Sequence, residues 1–144
     1  MELEAVSPAL KRALAMLRRR DYFRDELRTA LLAKSCTEAD VDRTLAWLDA
    51  RGLLQDVRTV SNYVEKRSGF AIARLREELE MRGVPLEIID HALATENDAE
   101  RAEAALAEKP QAVRSPERAA RFLASRGFSA ETIESLVEFP ELLS

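Results

Sequence analysis

The chain has 144 residues, is 47% hydrophobic but only 6% aromatic, and carries four glycines, five prolines and a formal net charge of -4. That allows an aliphatic core while leaving too little turn-forming material for a β-sandwich, so the fold class is all-α. One cysteine, Cys36, and one histidine, His91, exclude an internal disulfide and a Cys/His zinc site.

No apolar run reaches the length of a membrane span, and the start MELEAVSPAL lacks the layout of a secretion signal; a cytoplasmic protein is expected. The net charge conceals an asymmetry. Residues 9–34 carry eight bases against three acids, and residues 85–144 carry twelve acids against six bases. A basic front and an acidic back suit a molecule that meets its partner in one orientation.

In chain order, Leu10, Ala13, Leu14 and Leu17 repeat at helical spacing and Arg18, Arg19 and Arg20 close that helix with favourable charge. Phe23, Leu27, Ala30 and Leu31 mark a second helix. Thr37 caps a third, with Val41, Leu45 and Leu48 inward and a left-handed stop at Gly52. Asp56 is expected to cap a fourth helix to about Arg67, burying Val57, Val60 and Val64. After the break at Gly69, Ile72, Leu75 and Leu79 line a fifth helix. Pro85 starts a sixth, with Ile88, Ile89, Ala92 and Leu93 inward. An alanine stripe over residues 96–109 predicts a seventh. Ser115 and Pro116 open an eighth, stopped at Gly127, and Ser129 caps a ninth. Trp47 and Cys36 read as packing residues.

Three windows then align: Leu27-Leu31-Lys34-Ser35-Cys36-Thr37, Leu75-Leu79-Arg82-Gly83-Val84-Pro85 and Ala119-Leu123-Arg126-Gly127-Phe128-Ser129. Their periods, 48 from Leu27 to Leu75 and 44 from Leu75 to Ala119, mark a repeat architecture. The expectation is three tandem three-helix repeats, over residues 9–54, 55–95 and 96–139, each with a helix-turn-helix topology, forming an elongated, curved molecule.

Catalytic signatures do not occur. His91 stands alone, and there is no phosphate-binding glycine loop, no G-x-S-x-G and no H-E-x-x-H, so no enzyme activity, cofactor or metal is expected. Four blocks instead carry a resemblance: Arg20-Asp21-Tyr22 with Glu26-Leu27; Gly52-Leu53-Leu54-Gln55-Asp56 with Tyr63-Val64; Arg67-Ser68-Gly69 with Leu75, Glu78-Leu79 and Arg82-Gly83-Val84; and Arg121-Phe122-Leu123 with Arg126-Gly127-Phe128. Together, from about Ala9 to Val137, they resemble the regulatory protein RecX family.

The resemblance implies a monomeric crescent of helical modules lying in the groove of the RecA filament on single-stranded DNA. It would restrain ATP hydrolysis, strand exchange and coprotease activity, and so act in homologous recombination, DNA repair and the SOS response. By position, the face meeting the filament or its DNA would include Arg18, Arg20, Arg24, Arg28, Arg67, Arg74, Arg76 and Arg82. Phe23 stands where the family pattern has a helix-capping serine, so that the expected cap is either moved, to Asp21, or lost. The alternatives are a stand-alone helix-turn-helix DNA-binding protein and a divergent helical scaffold. Against the first, the helices in the reading position are acidic (EADVDRTLAWLDAR, PLEIIDHALA, AETIESLVEF) and ill suited to a major groove.

Overall fold

The computed structural model describes residues 7–137, apart from the side chains of residues 112 and 113. Residues 138 and 139, assigned above to the third repeat, lie outside the described residues. Among those described, nine α-helices follow one another: α1 (Pro8–Arg19), α2 (Arg24–Ala33), α3 (Glu38–Ala50), α4 (Asp56–Lys66), α5 (Ile72–Met81), α6 (Leu86–Leu93), α7 (Asp98–Glu108), α8 (Pro116–Ser125) and α9 (Ala130–Leu136). A short 3-10 turn, Pro110–Arg114, joins α7 to α8.

The caps follow local chemistry. Ser7, Thr37, Asn97, Ser115 and Ser129 each accept the backbone N–H of the residue three positions on, filling groups a helix start leaves open. The turns after α2, α5 and α8 share one geometry, in which the residue after the helix cap is left-handed: Ser35 (φ 67°), Gly83 (φ 81°) and Gly127 (φ 93°). The following apolar residue then folds back and donates its N–H to the helix, Cys36 to Leu31, Val84 to Leu79 and Phe128 to Leu123.

Three hydrophobic cores lie in series. The first gathers Ala9, Leu27, Leu31, Val41, Leu45 and Leu48, the second Val60, Val64, Leu75, Leu79 and Ile89, and the third Ala102, Ala105, Leu123, Phe128 and Ile133. The strongest helix–helix packing stays within α1–α3, α4–α6 and α7–α9. Cores this small bury little alone, so the junctions between them must contribute to stability.

The junctions repeat one device. Phe23, at the start of α2, is fully buried in the second core, and Ala71, at the start of α5, is fully buried in the third. Each plug therefore belongs to the next unit's interior. The helix behind the plug is capped from the same direction: the Arg24 N–H donates to Asp56 Oδ1 and the Ile72 N–H to Asp98 Oδ1, both at 2.9 Å.

This changes two expectations. Asp56 does not cap its own helix, whose N-cap is Gln55 without a side-chain bond, and α2 takes its cap from Asp56 rather than Asp21. Val57 also points outward, 59% exposed, because Asp56 and Val60 occupy the face toward the first unit and the second core.

The glycines at 83 and 127 serve the same junctions. A Cβ at Gly83 would lie 3.1 Å from Asp25 Cβ, and one at Gly127 would lie 2.9 Å from Arg74 Cβ. In the first unit the matching position is Ser35. At the other end, the residue matching Phe23 and Ala71 is Ser115, which caps its own helix. Gly127→Ala is accordingly expected to cost about 1–3 kcal/mol through strain at positive φ and collision with Arg74, whereas Ser35→Gly should gain up to about 1 kcal/mol. Urea midpoints of the two variants check the opposite signs.

Candidate partner interface

The eight arginines marked by the sequence do not form one free cationic face. Two of them, Arg20 and Arg82, converge on Glu26 at the junction of the first two units, and Arg67 lies within the second unit, 5.3 Å over the Tyr63 ring that packs on Phe23. Arg82 donates through Nε and Nη2 to the two oxygens of Glu26, at 2.9 and 2.8 Å, and lies over the Phe23 ring at 4.5 Å. Arg20 sits 3.8 Å above the Tyr22 ring and 3.4 Å from Glu26. Arg67 pairs with Glu78 at 3.0 Å and stacks on Phe70, while the Tyr63 hydroxyl donates to the same Glu78 at 2.6 Å.

The others are spread along the molecule. Arg24 pairs with Asp49, Arg28 with Glu38 and Asp42, and Arg76 with Asp90. Arg74 donates to the Ser125 carbonyl at 2.9 Å and so belongs to the second junction. Arg18 and Arg74 are the two of the eight without an acid partner among the described residues, and Arg74 is held by the Ser125 carbonyl. Exposed pairs of this kind are worth little and exchange partners readily; the part-buried, two-pronged Arg82–Glu26 pair is worth more.

Two carboxylates at the first junction shift in opposite directions. Burial pushes Glu26 up, but the Arg82 hydrogen bond, the Phe23 amide and the charges of Arg82 and Arg20 outweigh it, so its pKa falls below the ordinary 4.5. Burial dominates at Asp56, against the Arg24 amide and with Asp25 adding to it, and its pKa rises above the ordinary 3.8. A lowered pKa means that the Glu26 contribution is present above its unfolded value and lost as pH falls through the folded one. The raised pKa of Asp56 gives the opposite sign, a contribution present below its unfolded value and lost as pH rises through the folded one. A double-mutant cycle of Glu26→Gln with Arg82→Gln should therefore show a coupling of about 1.5–3 kcal/mol at pH 7 that disappears well below pH 4. A coupling unchanged at low pH would rule out the ion pair as its source.

Unneutralised charge sits elsewhere. Helix α1 carries Lys11, Arg12, Arg18 and Arg19 with no acid between Pro8 and Arg20, and Lys34 ends α2 close by. None of the five has an acid partner among the described residues. Arg12, Arg19 and Lys34 line one open groove with Ala15 and Met16. The acid-free run of α1 is visible in the sequence and was the signal for this patch. Arg101 and Arg126 also escaped sequence reasoning as key residues: both are spent inside the second junction, Arg126 between Glu108, the Gly69 carbonyl and the rings of Phe70 and Phe122.

Among the described residues no group of three His, Cys, Asp or Glu side chains is placed to hold a metal, His91 is exposed, and no helix is long and apolar enough to cross a membrane.

No protein-family model matches the chain. It is 32% identical over 137 residues to the regulatory protein RecX of Leptothrix cholodnii, covering 90% of this chain and 87% of that protein. It is 35% identical over 139 residues to the regulatory protein RecX of Pseudomonas entomophila, covering 90% of each. Its fold is similar to the crystal structure of RecX from Lactobacillus salivarius, with a TM-score of 0.67, 18% identity and 88% and 90% of the two chains covered.

Proposed function

Because the chain belongs to the regulatory protein RecX family, we propose that it restrains the RecA recombinase without catalysing a reaction of its own, lying as a monomer in the groove of the RecA filament on single-stranded DNA. ATP hydrolysis, strand exchange and coprotease activity would all be lowered from that position. The observation that carries this reading is the match to regulatory relatives over nine-tenths of the chain. Three units in series suit a repeating partner, since neighbouring units reach neighbouring subunits. The cations of α1 and Lys34 supply charge for an acidic surface or for phosphates, which makes binding salt-dependent.

Within this reading the arginines divide by the work they already do. Arg18 has no acid to release among the described residues. Arg24, Arg28 and Arg76 would exchange an exposed internal carboxylate for one on the partner at little cost, and the exposed Arg20 would leave Glu26 to Arg82. Arg67, Arg74 and Arg82 meet the partner only through the junctions they hold in shape.

The test is steady-state ATP hydrolysis by RecA on single-stranded DNA as this protein is added at low salt. Hydrolysis is expected to fall at substoichiometric ratios, and an unchanged rate across all ratios would overturn the proposal. Mobility shift on duplex DNA without recombinase separates the helix-turn-helix alternative. The acidic α3, which uses Glu38 and Asp42 to occupy Arg28, argues against groove insertion.

A further inference from the structure

The groove at the front of the first unit is lined by the same repeat positions as the cleft at the junction of units one and two. Thr59, Asn62, Tyr63 and Lys66 of α4 line the occupied cleft together with Arg82. Counting back 47 residues gives Arg12, Ala15, Met16 and Arg19 of α1, and 48 back from Arg82 gives Lys34. Those five residues are the lining of the front groove. In the internal copy the site is filled by the turn entering α2. Phe23 packs edge-to-face on Tyr63, with ring centroids 6.4 Å apart, and Glu26, three residues on, takes both prongs of Arg82.

The front copy keeps the parts that would receive such a segment. Met16 and Ala15 stand at the floor in place of Tyr63 and Asn62, and a flexible thioether adapts well to a varied apolar plug. Arg12, Arg19 and Lys34 surround it, all exposed and without an acid partner among the described residues. The groove differs in one respect that limits its occupant. Helix α1 opens with Ser7 and Pro8 and has no counterpart of the Asp56 cap, so the site favours carboxylates over a bare helix start.

We propose that this groove docks an acidic segment of a partner protein, with an apolar side chain on Met16 and a carboxylate three residues later at Lys34. The inference does not require that the partner be RecA. A protein segment is favoured over nucleic acid because the internal copy shows an apolar plug and a carboxylate at these positions, and because the floor offers no aromatic platform for a base.

The probe is a fluorescein-labelled peptide of residues 20–33 bearing Arg24→Glu and Arg28→Glu, titrated with the full-length protein and read by anisotropy. Binding is expected, weakened about tenfold or more by Lys34→Glu in the protein and comparably by Phe23→Ser in the peptide, and unchanged by Arg118→Glu at a remote exposed cation. Thermal melts of the variants confirm that the exposed substitutions leave the fold intact. The proposal is overturned by absence of binding up to about 1 mM peptide or by equal affinity for the wild type and Lys34→Glu. It is also overturned if Glu2→Lys with Glu4→Lys raises the affinity tenfold, which would place this chain's own start in the groove. Self-association abolished by Lys34→Glu, assigning it to a second copy, would overturn it as well. So would displacement of the peptide by oligo-dT with no dependence on Phe23, assigning it to nucleic acid.

Discussion

Arg101→Met is expected to lower the unfolding free energy by about 3–5 kcal/mol. The Arg101 side chain enters from α7, is 5% exposed, and makes four attachments. Its Nε donates to the Phe70 carbonyl at 2.7 Å, one amino group donates to the carbonyls of Val64 and Arg67, and the other meets Glu96. Val64 and Arg67 lie at the carboxyl end of α4, where carbonyls have no partner in the helix and the dipole is negative. Methionine would fill the volume while leaving these carbonyls dry and Glu96 without its cation. Arg101→Lys, a single point of donation, should fall between methionine and wild type. Urea unfolding with an unchanged slope gives the comparison, and a wild-type midpoint for Arg101→Met would refute the clip between α7 and α4.

The second large effect is expected in the wrong place for a simple domain picture. Phe23→Ala should cost about 3–5 kcal/mol as a cavity mutation, and the loss should be felt beyond the unit that carries the residue. Phe23 precedes α2, yet its ring lies among Val60, Val64, Leu75, Leu79 and Ile89. Amide exchange read by mass spectrometry should accelerate in α4 and α6 more than in α1 and α3. Loss of protection confined to α1–α3 would mean that the ring stabilises only its own unit.

Helix identity and turn chemistry were legible in the sequence because both are local. The stripes Leu27-Leu31, Leu75-Leu79 and Ala119-Leu123, the caps Thr37, Ser115 and Ser129 and the left-handed glycines depend on neighbours within a few residues, and the structure has them where the spacing placed them. The junctions were not legible, because their partners are far apart in the chain. Asp56 looks like a helix cap from its surroundings and is one, but for a helix that begins 32 residues earlier. Arg101 reads as an ordinary surface charge in DAERAEAALAE, and only the approach of α4 makes it a buried clip. Of the candidate interface, the family blocks pointed to arginines. Which of them were already neutralised depended on acids such as Glu26, Asp49 and Asp90 that only folding brings near.

The plugs also determine the order in which the units can be strung. Phe23 enters a core walled on α4 by Val60 and Val64, while Ala71 enters one walled on α7 by Ala102 and Ala105, where a Cβ on nearby Gly69 would already lie 3.0 Å from the Ala105 backbone. The first joint is wide and the second narrow. A shuffled chain with the last two units exchanged would force a phenyl ring into the alanine joint and leave the valine joint with a void. Each of the first two units thus carries a key cut for one successor, and the sequence of modules is specified by steric fit as well as by covalent linkage.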